Sequence, residues 1–193
     1  EMDNGLTVSV SFEMDQGTGN NSSLGFDSHS VTVSSDTLGT LTLAGHGGNS
    51  ATTAIDTTAA GDMWDNFDGL IVLGGTTIAD AAIGSGGTND SFFYTSPDLM
   101  DGLNFTLSYD PQNELTTAGG NSGEVGYGVN YSGVEGLSVS YATVDINDHS
   151  TDAAGDNTVM KASYAYGPVT VSYSEMEHDE GLSSGANDTT ITS

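Results

Sequence analysis

The feature that most constrains this chain is a period of two, kept over residues 125–143 and interrupted only by one turn. Val125, Tyr127, Val129 and Tyr131 alternate with Gly126, Gly128 and Asn130. Beyond Gly133-Val134-Glu135-Gly136, Leu137, Val139 and Tyr141 alternate with Ser138, Ser140 and Ala142. Successive strand side chains point to opposite faces. The stretch therefore predicts two strands and a tight turn, with one face apolar and aromatic and the other small and polar. A face of Gly, Ser and Asn offers little apolar surface to bury, so it must meet water. The apolar face then needs a cover, which is either a second sheet or lipid.

The same alternation predicts seven further strands. They carry Leu6, Val8, Val10 and Phe12; Val31 and Val33; Leu41 and Leu43; Phe92 and Tyr94; Leu103, Phe105, Leu107 and Tyr109; Met160, Ala162, Tyr164 and Tyr166; and Val169, Val171 and Tyr173. Turn signals stand at Asp36-Thr-Leu-Gly39, Ser96-Pro97-Asp98 and Gly167-Pro168. Residues 45–90 do not alternate and are too many for an ordinary connection. Met63, Trp64 and Phe67 suggest a short helix near 59–66, and Leu70-Ile-Val-Leu73 reads as a strand or a buried loop. Residues 145–157 read as an acidic loop, and residues 175–193 as a polar tail without a strand. Tyr109, Tyr141 and Tyr173 recur 32 residues apart (141 − 109 and 173 − 141). One period is one hairpin with its long loop, the organisation of an up-and-down meander that closes into a barrel.

Composition excludes several functions. The chain has 27 acidic residues against a single Lys and no Arg, a formal charge of −26. Nothing in it can neutralise nucleic-acid phosphates or dock on anionic headgroups. Without cysteine it has no disulfide, thiol chemistry or Cys-containing zinc site. No apolar run reaches the roughly 18 residues of a membrane-spanning helix. The start, Glu1-Met-Asp-Asn-Gly5, lacks the basic and apolar regions of a signal peptide.

No charge falls on the apolar side of the nine clear strands. Lys161 has the polar-face parity, between Met160 and Ala162. A cation on a lipid face near the bilayer midplane costs about 2–4 kcal/mol. Tyr94, Tyr109, Tyr131, Tyr141, Tyr166 and Tyr173 stand near strand ends on the apolar side, as the two aromatic girdles of a membrane barrel would. A soluble sandwich would instead cluster its aromatics in mid-strand. The small polar second face suits a water-filled lumen, and lipid is the expected cover.

On these residues the chain resembles the Gram-negative general porins, in particular their alphaproteobacterial branch. Asp36-Thr-Leu-Gly-Thr-Leu-Thr-Leu-Ala-Gly45 is similar to the turn and strand that lead into the family's inward-folded third extracellular loop. Phe92-Phe-Tyr-Thr-Ser-Pro97 with Gly102-Leu-Asn-Phe-Thr-Leu-Ser-Tyr109 is similar to the strand, turn and strand after it, and Asn4-Gly-Leu-Thr-Val-Ser-Val-Ser-Phe12 to an earlier strand. The resemblance covers essentially the whole chain. It implies an all-β, antiparallel up-and-down transmembrane barrel in the outer membrane, homotrimeric when full length, that passes small hydrophilic solutes and ions and catalyses nothing. Family members have sixteen strands. Nine are legible here, so the chain is expected to be an internal fragment, one domain over 1–193 with the constriction loop at 45–90. The family's basic wall cluster is missing, and Phe93 stands where a basic residue is usual.

In that reading Asp56, Asp62, Asp65, Asp68 and Asp80 of the long loop line the constriction, and acidic rings favour cations. Lys161 and Phe93 belong to the lumen wall, with Lys161 placed near the channel mouth. Asp145, Asn147, Asp148, Asp152 and Asp156 are weak candidates for calcium, a cation that takes several oxygens. Their spacing is not that of an EF-hand, and solvated loop charge explains them better. No cofactor is expected. Gly181-Leu-Ser-Ser-Gly185 matches a nucleophile elbow without the strand-to-helix context that it needs. His29, His46, His149 and His178 are scattered, with no paired ligand spacing. The competing reading is a secreted or surface-anchored acidic β protein of adhesin or S-layer type.

Overall fold

The computed structural model describes residues 5–14, 26–55, 71–73, 76–78, 90–111, 123–146, 155–179 and 189–192. The strands are β1 (Thr7–Met14), β2 (Phe26–Ser35), β3 (Gly39–His46), β4 (Ile71–Leu73), β5 (Thr76–Ile78), β6 (Ser91–Thr95), β7 (Leu103–Asp110), β8 (Glu124–Tyr131), β9 (Leu137–Ile146), β10 (Gly155–Tyr166), β11 (Val169–Asp179) and β12 (Thr189–Thr192). Ten of them form one sheet in the order β1-β2-β3-β6-β7-β8-β9-β10-β11-β12, and β4 with β5 forms a separate two-stranded sheet. All pairings are antiparallel. The described chain is all-β, an up-and-down meander, and it contains the nine expected strands in the expected order.

β-Branched and aromatic residues at every second position suit a pleated surface, and the turns fix the register. Gly167 has φ 59° ahead of Pro168. A positive φ at the first central position is what the primed turn of a two-residue hairpin requires. The β2–β3, β6–β7, β8–β9 and β10–β11 connections are short and lie at one end of the sheet, while the longer ones lie at the other.

Three expectations need correction. The tail is not free of strands: β11 runs on to Asp179, and β12 pairs with Glu175, Met176, Glu177 and His178. Thr and Ile carry enough β propensity for this, but four residues are too few to show a period. Next, 45–90 contains the β4–β5 hairpin, of which only the first strand was legible. The helix expected at 59–66 lies outside the described residues. Finally, the apolar side does carry charge beyond the apolar band, because the ladders of β9, β10 and β11 continue past it. Residues 145–146 and 155–157, read as loop, are strand. Asp156 pairs with both Asp145 and Asp179, and Thr158 with Glu177. Tyr141 and Tyr173 therefore lie within their strands, whereas Tyr131 and Tyr166 end theirs at the short-turn side. There too the Tyr94 hydroxyl donates to the Leu38 carbonyl at 2.8 Å.

Burial is the reverse of a soluble sheet. The apolar side is bare: Val10 is 64%, Phe12 61%, Val171 67% and Tyr166 77% exposed. The buried strand residues, including Ser91, Thr106, Ser108, Ala142, Val144, Asn157, Val159 and Ser174, stand on the polar side. So large an apolar surface marks an interaction face, and its aromatic pairs, such as Phe92–Tyr109 with centroids 6.5 Å apart, lie within it.

Candidate functional site

The start of the long segment covers part of the polar side. The N–H of Asp90 donates to the Gly45 carbonyl at 3.3 Å, next to the Ala44–Ser91 register pair. The segment thus leaves the wall and rejoins it at one place. Its first residues, 47–55, turn onto the polar side. Ser50 organises that turn: its N–H donates to Thr53 Oγ1 at 2.7 Å, and its carbonyl accepts the Ala54 N–H at 3.1 Å.

The turn is held to the wall in two ways. The Ala51 N–H donates to Ser108 Oγ of β7 at 3.0 Å, a buried bond between residues far apart in sequence. Ile55 packs against two small apolar clusters, Ala51 with Ala142 and Val144, and Val159 with Met176. One side chain so ties the strap to β9, β10 and β11. Beside them, Gly126 of β8 makes room for the approach. A Cβ there would strike Ser108 Oγ and come within 2.8 Å of Val144 Cγ2 and 3.0 Å of Ala51 Cβ.

Sequence reasoning missed this contact, although a signal for it existed. Val144, Val159 and Met176 carry the polar-face parity of their strands, where Ser, Asn and Gly are the rule. Apolar side chains on a wet face mark the place where something dry sits.

Phe93 is on the polar side, in register between Thr42 and Ser108. Lys161 is also there, between Ser140 and Ser174, within β10. Asp110 and Glu124 are register partners on this side, 4% and 8% exposed, and each makes contacts of its own. Asp56, Asp62, Asp65, Asp68 and Asp80 lie outside the described residues, as do Asn147, Asp148, Asp152, His149 and Gly181-Leu-Ser-Ser-Gly185. Asp145 and Asp156 stand on the apolar-side parity, away from the strap. Among the described residues no three His, Asp or Glu side chains come together to hold a metal ion.

The arrangement is a sheet with a bare apolar outer face, a polar inner face and a strap folded onto that inner face. A search of individually curated proteins finds no match. The family profile described as Gram-negative porin matches residues 1–192. The chain belongs to the Gram-negative porin family, the non-enzymatic channel proteins of the outer membrane.

Proposed function

We propose that the chain forms the wall and constriction of a cation-selective diffusion channel. Residues 45–90 narrow the lumen, and Asp56, Asp62, Asp65, Asp68 and Asp80 line the narrowest part. The observation that carries this reading is the seat of residues 50–55 on the polar side, fixed by the Ala51–Ser108 bond and by Ile55. A segment rooted there continues from the lumen wall. Selectivity follows from charge. The chain has 27 acidic residues, Lys161 is its single Lys or Arg, and a pore lined by carboxylates attracts cations.

Membranes do not tolerate unpaired strand edges. Among the described residues, β1 and β12 each have a neighbour on one side only. The reading therefore places the sheet in a larger closed barrel, sixteen-stranded and trimeric in the manner of the alphaproteobacterial porins. The test is the reversal potential of the full-length channel in a planar bilayer across a KCl gradient. A potential of the sign set by K⁺ is expected, and a zero or Cl⁻-set potential would overturn the selectivity.

A further inference from the structure

A cavity of about 310 Å³ lies between the strap and the wall. Asn49 and Ile55 of the strap line it, with Phe93, Thr95, Thr106 and Asn130 of the wall. Its chemistry differs from that of the chain as a whole. In a protein of formal charge −26, no ionisable side chain is among the described residues that line it. Thr95 and Thr106 are register partners. Gly128, opposite Thr106, adds no side chain to the wall there. The amide of Asn130 is held by its Nδ2–H bond to Asn104 Oδ1 at 3.1 Å. Phe93 places a phenyl ring on a wall otherwise made mostly of hydroxyls, amides and glycines.

We propose that this cavity is a saccharide subsite, which takes one neutral sugar ring with its C–H face on Phe93 and its hydroxyls toward Asn49, Thr95, Thr106 and Asn130. The lining selects among solute classes. An ion entering it loses hydration and, among the described lining residues, meets no opposite charge. A wholly apolar molecule leaves the amides and hydroxyls without partners. A pyranose has an apolar face and a hydroxyl rim, which match the ring and the polar groups together. The volume is at the lower limit of small-molecule pockets, which favours a monosaccharide over a longer chain. The subsite rests on the porin reading, because the sugar reaches it only through the lumen.

The test compares D-glucose with D-sorbitol, which has similar size and hydroxyl content but no rigid apolar face. Each is added to the full-length channel in a planar bilayer, and half-maximal reduction of the ion current is measured. Glucose should act at a concentration roughly two- to tenfold lower than sorbitol, the ratio that one aromatic contact supplies. Phe93→Ala should bring the ratio close to one, and Phe93→Tyr should keep it. Equal block by the two solutes in the unaltered channel overturns the subsite, and so does a ratio that survives Phe93→Ala. The unaltered channel alone decides the matter if a variant fails to assemble. Failure to form any ion-conducting channel would overturn the porin reading itself, whereas a channel indifferent to the two solutes would remove only the subsite.

Discussion

Leu43 and Asp179 stand on one hydrogen-bonded row of the sheet. The row runs from Leu43 through Phe92, Tyr109, Val125, Asp145 and Asp156 to Asp179. It begins in the apolar band and ends outside it, since the band of β11 is centred on Val171, eight residues earlier in that strand. The neighbouring row, from Leu41 to Glu177, puts the slip at six residues. Each residue advances about 3.3 Å along a strand and each strand is about 4.8 Å across. Six to eight residues over six strand-to-strand steps then tilt the band by roughly 35–45° against the rows, the strand tilt of a membrane barrel. Nitroxide labels at Leu43 and Val171 should therefore report the same bilayer depth by oxygen accessibility, and a label at Asp179 should report water. Equal depth for Leu43 and Asp179 would mean that the sheet stands upright and that the apolar band is not a membrane belt.

The two faces make a second prediction. Cysteines in place of Leu107, Val139 and Val171 should resist a charged, membrane-impermeant thiol reagent, and those in place of Ser140 and Ser172 should react with it. Ser108 should differ from the other serines, because its hydroxyl lies beneath Ala51. A cysteine there should react at least about tenfold more slowly, as expected of a position that opens only when the strap lifts. Fast labelling at Ser108 would mean that the strap is not seated.

How much of this was legible in the sequence depends on what each residue had to satisfy. The faces of β7 (Leu103–Asp110) and β8 (Glu124–Tyr131) could be read because lipid on one side and water on the other enforce a strict period of two. The ends of β9, β10 and β11 could not. Past the apolar band the outward side carries Asp145, Asp156 and Asp179, while Val144, Asn157 and Met176 on the other side are buried, so the alternation that marks the band is lost although the backbone ladder continues. β12 (Thr189–Thr192) is too short to show a period. The seat of the strap was hidden for another reason. Its partners Ser108, Gly126 and Val159 come from three strands, and only the register brings them together.

Ile55 gives a third prediction. Its side chain is half-buried between Val159 with Met176 and Ala142 with Val144. Ile55→Ser should cost about 1–2 kcal/mol in seating the strap, and Ile55→Val less than about 1 kcal/mol. Gly126→Val should act through the opposite partner by pushing Ala51 and Ser108 apart. Single-channel records of Ile55→Ser and Gly126→Val should show added open-channel noise and altered conductance, with Ile55→Val close to the unaltered channel. Quiet, unchanged records from both disruptive variants would separate the strap from the conducting path.

The charge distribution makes the last prediction. Two sets of three aspartates can be compared. Asp62, Asp65 and Asp68 belong to the segment proposed to narrow the lumen. Asp145, Asp156 and Asp179 form a row on the outward side at the long-loop end. The Debye length is about 8 Å at 0.15 M salt and about 3 Å at 1 M. At molar salt an ion in the pore still feels a carboxylate within a few ångströms, but not one across the barrel wall. Replacing Asp62, Asp65 and Asp68 together by Asn should therefore lower the K⁺ preference at both salt concentrations. The same change at Asp145, Asp156 and Asp179 should lower it modestly at low salt and leave it unaltered at 1 M. Reversal potentials of the two triple variants across matched KCl gradients decide the matter. If both variants lost the preference equally at 1 M, selectivity would arise from the overall field of the protein, and the constriction would have no special part in it.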